Sequence, residues 1–308
     1  MTLHTQAAPA LLPPVRPPRP PHAVSRLRTE RLARSVKPFL ARGGPKGERC
    51  PGCRLLPSHC LCGVRPEVPT LAGVCLLMAD IEPLKPSNTG WLIADVVTDT
   101  FAFSWARTVV DPALLALLAD PQWQPYVVFP GEFVATDRVV TTLCASGPHA
   151  EQAGRPEPGG GRRPLFVLLD ATWPEARKMF RKSPYLDHLP VLSLTPAHLS
   201  RYLLRRSQQG GHVCTAEVAA LCLELAGESQ AAHTLDAYLD VFTHHYLQAK
   251  HQLAPDWTGD AHQRLRTCAR ACATTTDGLA DPSGLCAPPC VPPCAPVTPS
   301  EHPSESPA

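Results

Sequence analysis

The chain has 308 residues, enough for one large domain or two smaller ones, and its hydrophobic fraction of 44% is sufficient for a packed core. Its 37 prolines are more than one core accommodates, so we expect part of the chain to lack regular structure. The formal charge of +2 excludes a uniformly basic protein, yet residues 1–65 hold twelve Lys and Arg against two Asp and Glu. This asymmetry indicates a polyanionic partner held mainly near the N-terminal end, although a basic solvated tail would give the same pattern.

The sequence favours a cytoplasmic protein without a membrane partner. No apolar run is long enough for a membrane span, and the first residues lack the apolar core and cleavage site of a secretory signal. Residues 16–28 contain arginines and no acids, as transit peptides do, but their prolines would break the amphipathic helix that such a peptide needs. Thirteen cysteines in a cytoplasmic chain then indicate metal ligands or free thiols rather than disulfides.

The N-terminal part of the chain divides into two segments. Residues 1–45 are Pro-rich and basic and are predicted to be disordered, with a short basic helix over residues 25–42. Residues 46–66 hold a CxxC pair followed by a CxC pair, a spacing at which four thiolates can close a tetrahedron around zinc. A redox CxxC or an iron–sulfur site is the alternative, but a redox pair would not need the second pair. The predicted ligands of a structural Zn²⁺ are Cys50, Cys53, Cys60 and Cys62.

Residues 67–253 form the predicted body of the protein. Short apolar runs predict strands at 71–78, 126–129, 164–169 and 189–194. Helical patterns start at 91, 112, 174, 215 and 234, and glycines and prolines at 145–164 predict a flexible loop. Strands that alternate with helices predict an α/β fold with a parallel or mixed sheet. Residues 254–308 are predicted to be a disordered Cys/Pro-rich tail, although the even spacing of Cys286, Cys290 and Cys294 would also allow a metal site.

Asp170 stands where the strand at 164–169 ends and a helix begins, with Pro174 at a first helical position. Open α/β folds bind ligands at the carboxyl ends of their strands, so Asp170 is either a site residue or the N-cap of the helix. Trp173, three residues further on, is either a core residue or an aromatic surface for a ligand.

Five blocks of sequence, in this order, resemble the DTW-domain family, the tRNA-uridine aminocarboxypropyltransferases. The blocks are the four cysteines; Lys85-Pro86-Ser87-Asn88-Thr89-Gly90; Phe129-Pro130-Gly131-Glu132; Asp170-Ala171-Thr172-Trp173 with Glu175-Ala176-Arg177-Lys178-Met179; and Ser200-Arg201-Tyr202-Leu203-Leu204-Arg205 followed by Cys214-Thr215-Ala216-Glu217. The chain departs from the family at Met78-Ala79-Asp80-Ile81, where a His-Pro dipeptide is usual, and at Cys214, where a serine is usual.

The resemblance implies a fold and a reaction. The fold is a SPOUT-like parallel-sheet domain, similar to the knotted α/β methyltransferases, preceded by a small zinc module with the four cysteines as ligands. The reaction is transfer of the 3-amino-3-carboxypropyl group from S-adenosyl-L-methionine, the co-substrate, to N3 of a uridine in tRNA, with release of methylthioadenosine. No obligate protein partner is implied.

The resemblance also implies roles for individual residues. Asp170 is assigned as general base or substrate orienter, with Thr172 and Trp173 beside it. The implied cofactor-binding residues are Asn88, Thr89, Gly90, Pro130, Gly131, Thr215 and Glu217. The implied RNA-binding residues are Arg177, Lys178, Arg181, Lys182, Arg201 and Arg205. Two alternatives stay open, an S-adenosylmethionine-dependent RNA methyltransferase and a non-catalytic, zinc-dependent RNA-binding protein.

Overall fold

The computed structural model of the protein describes residues 20–37, 39, 47–143, 161–194 and 214–277. Several expectations lie outside these residues. They concern most of the loop at 145–164, Arg201 and Arg205, and the cysteines of the tail.

The described residues form an α/β fold around a six-stranded parallel sheet with the strand order β2-β1-β5-β3-β6-β4. The strands are β1 Gly73–Met78, β2 Thr100–Ser104, β3 Trp123–Val128, β4 Val139–Val140, β5 Arg163–Asp170 and β6 Val191–Leu192. The parallel sheet expected from the sequence is confirmed. The strand β2 was not expected, because its residues are only half-buried at the edge of the sheet and leave a weak apolar signal.

The helices lie on both faces of this sheet. They are α1 Ala23–Ala33, α2 Gly90–Val96, α3 Pro112–Ala119, α4 Trp173–Arg181, α5 Thr215–Leu225, α6 Ser229–Lys250 and α7 Asp260–Asp277. In β5, Phe166 and Leu168 pack into the core that contains α2, α5 and α6, whereas Leu165 and Val167 pack into the core that contains α3 and α4. Burial on both faces explains why β1 and β5 are continuous apolar runs rather than alternating ones.

The N-terminal helix α1 is shorter than the expected 25–42, and it is not a solvated tail. Val24 and Leu27 are buried in the core, and Arg28 Nη1 donates to the carbonyl oxygens of Pro83 and Leu84. Arg31 forms a two-pronged ion pair with Asp80. The basic residues of α1 therefore dock this helix on the loop that follows β1.

The prediction that the chain is disordered from residue 254 onward is wrong for Asp260–Asp277, which form α7. His262 and Leu265 of α7 are 3% and 4% exposed because they pack against the body, with His262 against α6. Few apolar residues mark this segment, so its helix depends on tertiary contacts that a local pattern does not reveal.

The knot implied by the resemblance stays a prediction, because connections through 144–160 and 195–213 lie outside the described residues. None of the helices in the described part of the chain is long and apolar enough to cross a membrane.

Candidate functional site

Asp170 is the last residue of β5, and its side chain is fully buried. Both of its carboxylate oxygens accept hydrogen bonds, from Asn88 Nδ2 to Oδ2 at 2.6 Å and from Thr215 Oγ1 to Oδ1 at 2.6 Å. Met78, the last residue of β1, is its neighbour in the sheet register. The carboxyl ends of these two adjacent strands thus meet at the edge where an open α/β sheet offers its ligand site.

Asp170 is not the N-cap of the helix that follows, so that alternative is wrong. Thr172 is the N-cap of α4, and it forms a capping box with Glu175, whose carboxylate accepts from the backbone N–H of Thr172 at 3.1 Å. The hydrogen bond from the Thr172 hydroxyl and that from its backbone N–H lower the pKa of Glu175. Pro174 occupies the first turn, as expected. The helix therefore starts without help from Asp170, whose carboxylate is engaged by other loops.

The loop at residues 85–90 lies directly against Asp170. Asn88 Nδ2 donates a hydrogen bond to Asp170, and Asn88 Oδ1 accepts one from the backbone N–H of Trp91 at 3.1 Å. Both polar atoms of the Asn88 side chain are therefore hydrogen-bonded. A Cβ at Gly90 would lie 2.7 Å from Asp170 Oδ2, so a side chain at this position would push the two loops apart. The loop thus places Asn88 and Gly90, two of the predicted cofactor-binding residues, against Asp170, with Thr89 between them in the chain.

Glu82 is a residue of this site that the sequence analysis did not single out. Its side chain is buried, pairs with Lys85 Nζ, and has Oε2 at 3.5 Å from Asn88 Nδ2. A carboxylate that is buried must be paired or hydrogen-bonded, which Lys85 and Asn88 provide here. The only signal in the sequence was an acid at the start of the polar loop after β1.

The start of α5 completes the cluster around Asp170. Thr215 donates to Asp170, and the backbone N–H of Ala216 donates to Thr89 Oγ1 at 3.4 Å. Glu217 accepts from the backbone N–H of Cys214 at 2.7 Å, which closes a capping box. Burial raises the pKa of the Cys214 thiol to about 12, so this cysteine is a neutral core residue rather than a nucleophile.

Pro130 and Gly131 lie at the same edge of the sheet but not in the Asp170 cluster. They follow β3, and the backbone N–H of Gly131 donates to Ser193 Oγ at 3.0 Å. Ser193 follows β6, which is paired with β3. Because all strands are parallel, these turns and Asp170 share the carboxyl edge of the sheet.

Trp173 belongs to an aromatic cluster that consists of Phe129, Phe133, Trp173 and Phe180. Its ring stacks on Phe129 with centroids 5.5 Å apart, and Phe129 stacks on Phe180 at 4.3 Å. Phe133 meets Trp173 edge-on at 5.6 Å and keeps 40% of its surface exposed. The cluster therefore combines a packed interior with an exposed aromatic edge.

The cations predicted on α4 are all exposed: Arg177, Lys178, Arg181 and Lys182. The guanidinium carbon of Arg177 lies 4.8 Å from the Phe133 ring centroid, and Lys178 Nζ lies 5.9 Å from that of Trp105. The first of these contacts places a positive charge over an exposed aromatic ring, close to the carboxyl edge of the sheet.

The four predicted zinc ligands are brought together. The Sγ atoms of Cys50, Cys53, Cys60 and Cys62 all lie within 4.8 Å of one another, with Cys50–Cys62 at 3.5 Å and Cys53–Cys60 at 3.7 Å. Disulfides would require about 2.05 Å, whereas a tetrahedron with Zn–S bonds of about 2.3 Å has edges of about 3.8 Å. The donor set and spacing fit structural zinc.

Comparisons with known proteins agree with this geometry. A model of the DTW domain matches residues 47–247. The chain is 39% identical over 58 residues to tRNA-uridine aminocarboxypropyltransferase 2 of Drosophila melanogaster. That segment is 19% of this chain and 23% of the relative, so the similarity spans less than a quarter of the relative's length. No solved structure matches the chain.

Proposed function

Because this chain belongs to the DTW-domain family, we propose that it transfers the 3-amino-3-carboxypropyl group of S-adenosyl-L-methionine to N3 of a uridine in tRNA, releasing methylthioadenosine. The relative from Drosophila carries the name tRNA-uridine aminocarboxypropyltransferase 2. The observation that carries the proposal is the Asp170 cluster, which joins β5, the 85–90 loop and α5 through side-chain hydrogen bonds.

The candidate cofactor-binding residues divide into two groups by exposure. Asn88, Thr89 and Glu217 are buried and already hydrogen-bonded to protein groups, so we assign them to shaping the loops. Thr215 and Gly131 are half-buried at the carboxyl edge and, with the exposed Pro130, are our candidates for direct contact. When bound, S-adenosyl-L-methionine supplies an electrophilic carbon beside a sulfonium.

We propose that Asp170 acts as an orienting residue rather than as the base that removes the N3 proton. A general base must come within hydrogen-bond reach of the proton that it removes, which requires that the substrate can reach its oxygen. The Asp170 carboxylate is buried, and each of its oxygens already accepts a hydrogen bond at 2.6 Å. Its contribution is to hold Thr215 and Asn88 in fixed positions, which supports the near-attack geometry that group transfer requires.

We propose that RNA binds over α4 and the exposed edge of the aromatic cluster. RNA is recognised mainly through its phosphates and through unstacked bases that stack on aromatic rings or guanidinium planes. Phe133 is 40% exposed and has Arg177 over its ring, while the other cations of α4 continue the positive surface. Arg201 and Arg205 remain predicted RNA contacts.

We also propose that the chain consists of a structural zinc module at 46–66 and a catalytic domain at 67–253. The proposed location of the protein is the cytoplasm.

The proposed reaction is tested with purified protein, unmodified tRNA and S-adenosylmethionine labelled in its aminocarboxypropyl chain. We expect a labelled uridine heavier by that group and methylthioadenosine in equal amount, measured by mass spectrometry of the nucleosides. The control is Asp170→Ala, which removes both hydrogen-bond acceptors and should lower both products together.

Two outcomes would contradict the proposal. S-adenosylhomocysteine with a methylated nucleoside would favour the methyltransferase alternative, because the same cofactor offers a methyl carbon. Binding of tRNA without any cofactor turnover would favour the non-catalytic RNA-binding protein.

A further inference from the structure

Arg54 is a buried cation that the proposed reaction does not use. It directly follows the second predicted zinc ligand, Cys53, and is 2% exposed. Its backbone has φ of 65°, a left-handed conformation that favours glycine, so the position carries backbone strain. Strain at a non-glycine residue persists only where surrounding contacts hold it.

The backbone of Arg54 is tied to the zinc module at 46–66. Its N–H donates to the carbonyl of Cys50 at 2.8 Å, and the N–H of Cys50 donates to the carbonyl of Leu55 at 2.8 Å. This short closed turn also contains Cys53. The geometry of the thiolate cluster therefore fixes where the Arg54 side chain leaves the module.

The side chain of Arg54 reaches the loop beside Asp170. Its Nη1 donates to the carbonyl of Lys85 at 3.1 Å and to that of Asn88 at 3.0 Å. Its guanidinium carbon lies 4.4 Å from the Trp91 ring centroid, and Trp91 Nε1 donates to the carbonyl of Gly52 in the module. The guanidinium of Arg54 is charged at neutral pH, so its hydrogen bonds are charge-assisted.

We infer that Arg54 is a positioning residue that couples the zinc module to the loop at 85–90, so that an intact module is required for the loop to hold Asn88 against Asp170. The inference rests on the proposed function only for the identity of the ligand, S-adenosyl-L-methionine. It explains how a thiolate module that lies outside the parallel sheet is connected to the cluster at the carboxyl edge of the sheet. The path runs from Cys50 through Arg54 and Asn88 to Asp170, with a hydrogen bond at each step.

The test uses the full chain with Arg54→Met, which keeps an apolar stem and removes the donors. We expect one zinc per chain to be retained, while amide hydrogen exchange at residues 88–92 becomes about tenfold faster or more, the size expected for lost charge-assisted hydrogen bonds. The dissociation constant for S-adenosylmethionine, measured by calorimetry, should rise by a similar factor.

The matched control is Arg65→Met. Arg65 is also a buried arginine of the module, but its Nη1 donates to Asp95 Oδ1 on α2 at 3.1 Å. This variant should be less stable, yet leave exchange at 88–92 and the dissociation constant within about twofold of the wild type. A merely structural role for Arg54 predicts that both variants change in parallel, and that result would overturn the inference.

Exchange at 88–92 as slow in Arg54→Met as in the wild type would also overturn it. If Arg54→Met does not fold, Arg54→Lys takes its place. The shorter ammonium loses the planar donor group, so exchange must still exceed the wild-type rate, and an unchanged rate contradicts the coupling. If the wild type fails to bind S-adenosylmethionine, the proposed function fails, whereas the exchange measurement needs no ligand and still decides the coupling.

Discussion

At the scale of single residues, Asp170 shows how a short polar side chain can organise the carboxyl edge of a parallel sheet. Its two oxygens fix groups from loops that are 82 and 45 residues away in the chain. The neighbouring Gly90 leaves room for this arrangement, because a Cβ there would meet Asp170 Oδ2 at 2.7 Å. The candidate site is thus formed where the end of β5, the loop at 85–90 and the start of α5 come together, rather than by one sequence motif.

We predict that Asp170→Asn folds but loses stability and most product formation. Asn88 and Thr215 both donate to the charged carboxylate of Asp170. In Asp170→Asn the carbonyl oxygen stays with Asn88, whose amide cannot turn without losing its bond to Trp91, and the NH₂ group makes the Thr215 hydroxyl an acceptor. The free energy of unfolding, measured in urea, should fall by about 1–3 kcal/mol, because two charge-assisted hydrogen bonds become weaker neutral ones. Typical domains tolerate a loss of this size.

The control for this prediction is Thr215→Val, which keeps the shape and removes one donor. This variant should leave one Asp170 oxygen without its hydrogen bond, and its free energy of unfolding should fall by no more than that of Asp170→Asn. Unchanged stability and turnover in Asp170→Asn would show that the buried carboxylate is needed neither for the fold nor for the reaction.

At the scale of elements, the zinc module and α4 are each built from short-range sequence signals. Thr172 and Glu175 form the capping box at the start of α4. In the module, Gly52 lies in the tight turn between Cys50 and Cys53, the first of the two cysteine pairs. A Cβ at Gly52 would lie 2.7 Å from Cys62 Sγ, so glycine is required for the ligands to converge. Local chemistry therefore fixes both elements before any packing is considered.

We predict that the double variant Cys60→Ser, Cys62→Ser loses its zinc and loosens the module. Two of four thiolates cannot hold a tetrahedral Zn²⁺ tightly, and metal binding contributes directly to folding in such modules. Metal analysis should give much less than one zinc per chain, and limited proteolysis should cut within residues 47–66. Leu55 and Leu61 of the module are buried in the main core, so thermal stability should fall as well.

Cys268→Ser is the matched control, since Cys268 is a half-buried cysteine on α7, outside the module. It should keep full zinc content. Full zinc content in the double variant would instead remove Cys60 and Cys62 from the site.

At the scale of the whole molecule, buried histidines connect the C-terminal helices. His245 on α6 and His262 on α7 share a hydrogen bond between their Nε2 atoms at 2.8 Å, and the His59 ring of the zinc module lies 6.0 Å from the His245 ring. Burial, with nearby His262 as the next cause, lowers the pKa of His245 to about 3. This histidine is neutral in the folded protein at every physiological pH.

We predict that His245 makes stability depend on pH in the acid range. Its pKa is lower in the folded state than the ordinary 6.5, so the unfolded chain binds more protons below that value. The stabilisation is complete above pH 6.5 and is lost as the pH falls from 6.5 towards 3. For one proton the slope is at most about 1.4 kcal/mol per pH unit.

The measurement is urea unfolding between pH 7 and about pH 4, a range in which His22, whose pKa burial also lowers to about 3, contributes a slope of its own. His245→Gln should flatten the slope. The control His233→Gln changes a histidine on the same helix whose side chain is 70% exposed, and it should leave the slope unchanged. Equal slopes in the wild type and His245→Gln would contradict the prediction.

Features that depend on near neighbours in the chain were predictable from the sequence. Apolar runs predicted strands of the sheet, the spacing of the thiols predicted a cluster of four cysteines, and the acid at the end of β5 marked the candidate site. These features depend on neighbours within a few residues, such as burial on both faces of a strand or a turn between two cysteines. The same information identified α5 from its start at Thr215 and the loop with Asn88.

How distant segments of the chain meet could not be predicted from local patterns. Strands β1 and β5 are neighbours although about 85 residues separate them, and nothing local specifies such a pairing. The half-buried edge strand β2 and the helix α7 form through contacts with the body, so their own sequences gave little signal. Asp170 became an acceptor for two loops, and Arg54 a link to one of them, only when the folded chain closed around them. Buried polar groups must find partners, and which partners they find depends on the whole fold.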